Sequence, residues 1–290
     1  MVWASPREVA ESLGVSESSV KRWCDDGRLD TERTAGGHRR IAVAEALRFA
    51  RSSNLSIMHP EILGLAGIAS TLSRSSVLPT DLGDALFELL QRDEAGAAQR
   101  LAFAAFAEGH SIASLCDGPL RSSLARIGEL WKQSPEGIVA EHRAVDICYQ
   151  LMARLRNALP DPDSDALVAV GGAPSGDPYL LPSAMAAAVV HECGVLARNV
   201  GADTPAEALI AAIVRYKAQM VWISVTREGA DEIAPPYIEA VRRAARDHGA
   251  LVIAGGRALS PRAVRPGEGL HLFATMAELA SFTRGLLNRK

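Results

Sequence analysis

The 290-residue sequence predicts a multidomain protein with an α+β N-terminal module, an all-α middle module and a C-terminal doubly wound α/β module. Three observations lead to this prediction. The first fifty residues combine two short helical patterns with a glycine-rich hairpin pattern. Apolar residues at helical spacing dominate the middle, and five short apolar runs alternate with helical patterns after it, which is typical of a parallel sheet. We therefore expect domains at residues 1–52, 61–159 and 164–290.

Composition limits the classes of function. Apolar residues make up 48% of the chain and charged residues 22%, which is ordinary for a globular protein. The formal net charge of −3 requires any nucleic-acid binding to depend on a local basic patch. Four scattered cysteines, none at metal-ligand or redox spacing, predict reduced thiols. We find no secretory leader and no apolar run of membrane-spanning length, so we expect a cytoplasmic protein with no membrane partner.

The N-terminal pattern begins with two capped helices. Ser5 and Glu8 form a capping box, Gly14 ends the first helix, and Ser16 caps the second. Val20 and Trp23 are predicted to face inward. The residues predicted to face outward from the second helix are Ser18, Ser19, Lys21 and Arg22. Two short helices with a glycine turn suit entry of the second helix into the DNA major groove, although an ordinary helical hairpin has the same pattern.

A basic hairpin follows. The stretch from Leu29 to Ile41 has extended flanks and a tip that contains Gly36 and Gly37. Its basic residues are Arg33, His38, Arg39 and Arg40. Glycines let the backbone approach DNA closely, so these side chains are predicted to lie along phosphates or to place an arginine in the minor groove.

The run SPREVAESLGVSESSVKRWCDDGRLDTERTAGGHRRI, residues 5–41, resembles the winged helix-turn-helix of the MerR and excisionase-like class. The resemblance implies that Ser18, Ser19, Lys21 and Arg22 face the groove. It also implies that Arg33, His38, Arg39 and Arg40 contact the DNA backbone.

Polar linkers near residues 51–60 and 160–164 bound the middle module. Its predicted helices are Glu61–Ser70, Leu82–Leu90, Ala95–Ala107, Ile112–Trp131 and Ile138–Leu159. The last two meet at the Pro135/Gly137 turn, where Trp131 and His142 are predicted to point inward. This pair suits a roof over a planar cofactor. The alternative is a core histidine that is hydrogen-bonded to Glu141 or Asp146.

The C-terminal pattern predicts strands at Ala166–Val170, Val195–Val200, Met220–Val225, Leu251–Ala254 and Leu270–Phe273, with helices between them and a flavodoxin-like strand order. Ligands of such sheets bind beyond the carboxyl ends of the strands. Glycine-rich backbone and hydroxyl groups follow those ends at residues 171–179, at Ser224 and Thr226, and at Gly255 and Gly256. Glycines also end strands for purely local reasons.

A helical bundle followed by a flavodoxin-like domain resembles the cobalamin-binding module of corrinoid methyl-transfer proteins. With the winged helix in front, nearly the whole chain resembles the light-sensing, cobalamin-dependent MerR-family repressors of carotenoid genes. The resemblance implies adenosylcobalamin as cofactor, with Trp131, Glu141 and His142 above the cobalt. His142 is in addition a candidate ligand of the cobalt on this upper face. It implies that Ser224, Gly255 and Gly256 line the nucleotide tail.

One segment departs from the family pattern. The family's lower-face motif, Asp-x-His-x-x-Gly, reads here Asp177, Pro178, Tyr179, Leu180, Leu181, Pro182. A neutral phenol replaces the histidine that would lie beneath cobalt, and a proline replaces the glycine. Three interpretations of the ligand follow: cobalamin bound without the lower histidine, no ligand and control by a partner protein, or another tetrapyrrole such as haem or a bilin.

These patterns together predict a DNA-binding transcriptional repressor that is not an enzyme. Its expected partners are a double-stranded DNA operator, further copies of itself in a dimer or tetramer, and a regulatory protein. Sensing of a ligand or light is expected to control the oligomer on the operator. The rival class is a corrinoid-dependent methyltransferase or mutase component. We find no P-loop, no Ser-His-Asp pattern and no clustered carboxylate pair that would support independent catalysis.

Overall fold

A computed structural model describes residues 3–34, 36–53, 55, 57–63, 81–131, 134–159, 161–163, 165–229, 233–259 and 264–287. The chain divides into two compact units: Met1–Ser111 with Gly118–Pro160, and Ile112–Asp117 with Asp161–Lys290. The helix predicted over Glu61–Ser70 lies mostly outside the described residues, and Pro60–Leu63 forms a 3-10 turn. No described helix has both the length and the apolar content needed to span a membrane.

The N-terminal module of the first unit has three helices and a small antiparallel sheet. Its elements are β1 (Trp3–Ala4), α1 (Pro6–Leu13), α2 (Glu17–Asp25), β2 (Glu32–Arg33), β3 (Arg39–Ala42) and α3 (Val43–Ser52), with strand order β1-β3-β2. The predicted capping box is confirmed, because Ser5 N donates to Glu8 Oε2 at 2.7 Å and Glu8 N donates to Ser5 Oγ at 3.2 Å. Gly14 ends α1 with φ +64°, a conformation that glycine adopts without strain.

The core of this module is apolar and extends into the helical region. Val20 is fully buried, as predicted, and the Trp23 ring packs 4.8 Å from the Phe49 ring, measured between centroids. Phe103 and Ala158, which lie further along the chain in the same unit, also pack against this core. The DNA-binding pattern and the helical region therefore share buried contacts.

Between residues 81 and 159, the described part of the chain forms five further helices: α4 (Leu82–Gln91), α5 (Ala95–Ala107), α6 (Ile112–Leu115), α7 (Arg121–Trp131) and α8 (Pro135–Asn157). Residues Ile112–Trp131 are helical throughout, as predicted, and a π-helical turn at Cys116–Leu120 separates α6 from α7. This turn contains Pro119, which lacks the N–H that a regular α-helix needs.

The buried face of α8 differs from the predicted one. Ile138 is 38% exposed and the His142 side chain is 73% exposed, so the prediction that His142 points inward is wrong. The buried residues of α8 are Gly137, Ala144, Ile147, Cys148, Leu151, Met152 and Leu155. Cys148 and Met152 of the predicted stripe are buried, whereas Ile138 and His142 near the start of the helix are exposed.

The second unit has a five-stranded parallel sheet with helices on both faces. Its elements are β4 (Val168–Pro174), α9 (Leu180–Glu192), β5 (Leu196–Thr204), α10 (Ala206–Tyr216), β6 (Met220–Ser224), α11 (Ala234–Asp247), β7 (Leu251–Gly255), β8 (Leu270–Phe273) and α12 (Met276–Leu287). The strand order β5-β4-β6-β7-β8 is the predicted flavodoxin-like order. Helix α9 packs against α12, and α10 packs against α11.

Strand β4 runs further than predicted. Gly171 and Gly172 lie within the strand, where the sequence indicated a ligand-binding loop. A Cβ at Gly171 would lie 2.1 Å from the Trp222 ring, and one at Gly172 would lie 2.6 Å from Gly201 O. Close packing inside the sheet therefore explains both glycines.

The short segment Ile112–Asp117 belongs to the second unit through hydrogen bonds. The Asp117 carboxylate accepts from Met276 N at 2.9 Å and from Ala277 N at 2.8 Å, at the start of α12. Ile112 N donates to Glu192 Oε2 at 3.0 Å. A carboxylate at a helix N-terminus satisfies amides that have no partner within the helix.

Candidate functional site

Helix α2 presents the side chains that were predicted to enter the DNA groove. Ser16 caps the helix by accepting from Ser19 N at 3.2 Å, and its Oγ lies 2.8 Å from the hydroxyls of both Ser18 and Ser19. Ser18, Lys21 and Arg22 are exposed, and Ser19 is half-buried. Lys21 Nζ lies 2.8 Å from Glu17 Oε1 in a solvent-exposed pair. The second helix therefore has an exposed polar and basic surface immediately after its cap.

The β2–β3 hairpin, here called the wing, brings the predicted basic residues beside α2. Thr34 N donates to His38 O at 2.8 Å, and Arg33 Nη1 donates to Gly37 O at 3.2 Å. These bonds close the tip, where Arg33 and His38 are exposed. Gly37 has φ +80°, which the tight turn requires.

Arg39 and Arg40 have partners within the protein. Arg39 forms an ion pair with Asp25 at the end of α2 and donates to Lys21 O at 3.3 Å. The hydrogen bond that Arg39 donates to the Asp25 carboxylate raises the pKa of Arg39 above its ordinary value. Arg40 pairs with Glu32 at 2.6 Å, and its guanidinium lies 4.1 Å from the centroid of the Trp3 ring. Both arginines thus connect the wing to its neighbours, and their predicted phosphate contacts stay predictions.

In the second unit, Asp177 holds the carboxyl ends of two strands together. Its side chain is buried at 2% exposure and accepts from Tyr179 N at 3.1 Å, Thr226 N at 2.5 Å and Arg227 N at 3.0 Å. Arg227 Nη1 returns a bond to Gly176 O at 2.8 Å. This clamp joins the loop after β4 to the loop after β6, on either side of the point where the strand order reverses.

A crevice of about 220 Å³ lies at this reversal point. Its walls include Pro174, Gly176, Arg227 and Ala234. Doubly wound sheets bind their ligands at such a position. Its volume is below the roughly 300–1,000 Å³ that sites for drug-sized ligands occupy.

The remaining predicted residues of this edge are buried or packed against backbone. Ser224 is 6% exposed and Thr226 is 7% exposed. The Thr226 hydroxyl has no hydrogen-bond partner among the described residues. A Cβ at Gly255 would lie 2.6 Å from Phe273 O, and one at Gly256 would lie 2.1 Å from Val225 O. Local close approach of the backbone thus accounts for both glycines.

Only part of the predicted cofactor roof, the pair Glu141 and His142, has described side chains. His142 Nε2 lies 3.6 Å from Glu141 Oε2, and both belong to α8. Trp131 ends α7, and its side chain lies outside the described part of the structure. Throughout the described residues, no group of three or more His, Cys, Asp or Glu side chains could hold a metal ion.

Tyr179 is the residue in place of the family's lower-face histidine, and Trp222 lies on β6, the strand that ends at Ser224. Tyr179 precedes the first turn of α9, is 38% exposed, and has the Arg257 guanidinium 5.5 Å from its ring centroid. Trp222 is 2% exposed, and its Nε1 donates to Ser183 Oγ at 2.9 Å. Ser183 Oγ in turn donates to Asn199 Oδ1 at 2.9 Å.

Trp222 was not among the predicted site residues, although the alternation of faces along β6 indicates its position. Residues two apart on a strand share a face, so Trp222 lies on the same face of β6 as Ser224. The opposite face bears Val221 and Ile223, which pack in the core with α10 and α11. A large aromatic side chain thus occupies the face on which the family resemblance placed the nucleotide tail.

Comparison with known proteins supports the two folds separately. Residues 5–53 match a family model described as "Helix-turn-helix domain". No curated protein matched the sequence. The monomethylamine corrinoid protein of Methanosarcina barkeri matches with a TM-score of 0.54 and 14% identity, over 71% of this chain and 98% of that chain. At this identity the likeness shows a shared fold.

Two further solved structures match with lower TM-scores. A cobalamin-binding protein from Desulfitobacterium hafniense DCB-2 matches with a TM-score of 0.36 and 15% identity, over 71% of this chain and 98% of that chain. A methanol:cobalamin methyltransferase complex from Methanosarcina barkeri matches with a TM-score of 0.38 and 15% identity, over 95% of this chain and 93% of that chain.

The described residues do not fit a cobalamin whose tail reaches Ser224. Tyr179 is a phenol where the resemblance requires an imidazole ligand, and it faces a guanidinium. Trp222, two residues before Ser224, lies on the same face of β6. Its buried indole takes up space on the face where the resemblance implies the nucleotide tail.

Proposed function

We propose that this chain is a DNA-binding transcriptional regulator, acting as a repressor. The observation that carries the proposal is the exposed row Ser18, Lys21 and Arg22 on α2, directly after the Ser16 cap and beside a basic wing. Hydroxyl and basic side chains in the first turns of a recognition helix suit both base edges and phosphates. The match of residues 5–53 to a helix-turn-helix family supports the same function.

The electrostatics agree with a local DNA surface on a mildly acidic protein. Lys21 pairs with Glu17 across exposed side chains, and such a pair contributes little to stability. A DNA phosphate can therefore replace Glu17 as the partner of Lys21 at small cost. Arg22 and Arg33 extend this positive surface from α2 to the wing tip.

The C-terminal unit is proposed as the regulatory part. Its input is a protein partner or a ligand at the sheet edge, and its output is the association of protomers into a dimer or tetramer. Operators commonly contain two half-sites, so association would determine how many helix-turn-helix modules bind together. The poor fit to cobalamin favours a partner or a small ligand over a corrinoid.

The rival function is a component of a corrinoid-dependent methyltransferase, which the fold of the Methanosarcina corrinoid protein favours. Two features oppose this function and support our proposal that the chain is not an enzyme. The first is the DNA-binding pattern in front of the α/β unit. The second is the buried Trp222 indole, which lies on the same face of β6 as Ser224, where the resemblance implies the nucleotide tail.

The proposal is tested by measuring binding to the DNA upstream of the protein's own gene, with a scrambled duplex of equal length as competitor. Fluorescence anisotropy in the dark and after illumination, at fixed salt, should show at least a hundredfold preference for the natural fragment. Equal affinity for both duplexes under both conditions would contradict the proposal.

A variant pair locates the contact. Arg22→Ala should weaken specific binding about fivefold to a hundredfold, because it removes a charged contact from the groove-facing surface. The matched control is Arg243→Ala, an exposed arginine on α11 of the other unit, which should leave affinity unchanged. Equal effects of the two substitutions would place the DNA surface elsewhere.

A further inference from the structure

Trp222 occupies a flat slot between the central sheet and α9. Three atoms of its indole lie within 2.4 Å of the position that a Cβ at Gly171 would take. Gly171 and Trp222 are register partners on the neighbouring strands β4 and β6. The indole therefore lies against bare backbone, and any larger residue at position 171 would overlap it.

The outer wall of the slot holds the indole by its nitrogen. Ser183, in the second turn of α9, accepts from Trp222 Nε1 at 2.9 Å and donates to Asn199 Oδ1 at 2.9 Å. Asn199 Oδ1 also accepts from Gly201 N at 3.1 Å on the edge strand β5. Because this chain of bonds provides one acceptor beside a flat space, the slot could bind a planar bicyclic heteroaromatic group that has one N–H donor.

We propose that Trp222 is an internal occupant of a latent base-binding slot, and that it closes the α/β unit to any corrinoid with an inserted nucleotide tail. The slot, formed by Gly171, Ser183 and Asn199, suits a benzimidazole or indole ring. The side chain of the protein supplies that ring itself. This inference is independent of the proposed DNA binding, so either can fail alone.

The first test uses full-length protein and free ring compounds. Trp222→Gly should lose thermal stability and regain part of it with indole or benzimidazole, by roughly 3–6 °C at ten times the dissociation constant. A cavity left by a removed ring can take up a matching ring. The matched control is Ile223→Ala, a buried neighbour on the opposite face of β6, which should not respond.

A second variant checks that the ring binds against Gly171. In the double variant Gly171→Ala/Trp222→Gly, the added methyl group lies where the ring plane was. The affinity for indole should therefore fall at least tenfold. The substitution Gly171→Ala alone should destabilise the protein much more than the same change in the Trp222→Gly background. Equal effects in both backgrounds would overturn the proposal, as would an indole response of Ile223→Ala equal to that of Trp222→Gly.

The wild-type chain provides a test that needs no variant. After incubation with hydroxocobalamin in the dark and gel filtration, it should carry no corrin absorbance, or a corrin whose benzimidazole is still bound to cobalt. Retained corrin with its base displaced from cobalt would show an inserted tail and would overturn the proposal. Loss of DNA binding in the anisotropy experiment would leave this result unaffected.

Discussion

At the scale of single residues, Arg39 at the start of β3 connects the wing to α2. Its ion pair with Asp25 and its bond to Lys21 O connect β3 to α2, although the sequence placed it on DNA phosphates. An arginine that holds the wing acts on DNA through position, whereas one that touches phosphate acts through charge. The two roles differ in their response to loss of Asp25.

We expect Asp25→Ala and Arg39→Ala each to weaken operator binding roughly twofold to fivefold, because each releases the wing from α2. Anisotropy titrations over a range of salt should show that neither substitution changes the salt slope by a full unit. If Arg39 instead contacts phosphate, removal of the Asp25 charge would strengthen binding, and Arg39→Ala would lower the slope.

Asp177 is the second residue whose role depends on its contacts. It satisfies three backbone N–H groups in the loops after β4 and β6. We expect Asp177→Ala to lower the free energy of unfolding by about 2–4 kcal/mol, because buried amides lose a charged acceptor. Urea denaturation measures this loss. Glu228→Ala, at an exposed carboxylate of the neighbouring loop, should change stability by less than about 0.5 kcal/mol, and equal losses would contradict the clamp.

At the scale of elements, end signals determined the helices of the DNA-binding module. Ser5 and Glu8 cap the start of α1. Gly14 ends this helix, and Ser16, two residues later, caps the start of α2. The bond from Ser5 N to the Glu8 carboxylate lowers the pKa of Glu8 below its ordinary value. The cap is therefore coupled to pH.

A carboxyl group whose pKa is lowered on folding stabilises the fold above its ordinary pKa, and this contribution is lost as pH falls through the folded value. We expect the stability difference between wild type and Glu8→Gln to be constant above about pH 5 and to shrink below about pH 4. Urea denaturation between pH 3.5 and 6 measures this difference. Glu11→Gln, on the same helix, is the control, and a difference for Glu8→Gln that does not change with pH would contradict the capping role.

At the scale of the whole molecule, the DNA-binding module shares its core with the helices that follow. Phe103 of α5 and Ala158 after α8 pack against the buried cluster of α1, α2 and α3. A change in the helical region therefore has a direct physical route to the stability of the recognition helix. This route lies within the first unit.

We expect Phe103→Ala to cost about 1–3 kcal/mol, since its ring is only half-buried. Amide hydrogen exchange should speed up in α1 to α3 as well as in α5. Phe87→Ala is the matched control, because Phe87 of α4 is also half-buried but packs against the guanidinium of Arg126 from α7. Faster exchange confined to α5 in the Phe103 variant would show that the modules are not coupled.

The sequence by itself determined the types and the order of most elements. Helix caps and hydrophobic spacing act over a few residues, so α1, α2 and the five parallel strands were predictable within a few positions. The strand order followed as well, because right-handed crossovers leave few arrangements for such a pattern.

Only the tertiary structure decided which helix faces are buried, and that the Trp222 side chain fills the face of β6 on which a ligand was predicted. The exposed position of His142 depends on how α8 packs against other helices, and a single-helix pattern cannot supply that. Trp222 meets Ser183, 39 residues earlier, and Gly171, which is on another strand. Local spacing describes each residue alone, whereas occupancy of a slot depends on residues that only the folded chain brings together.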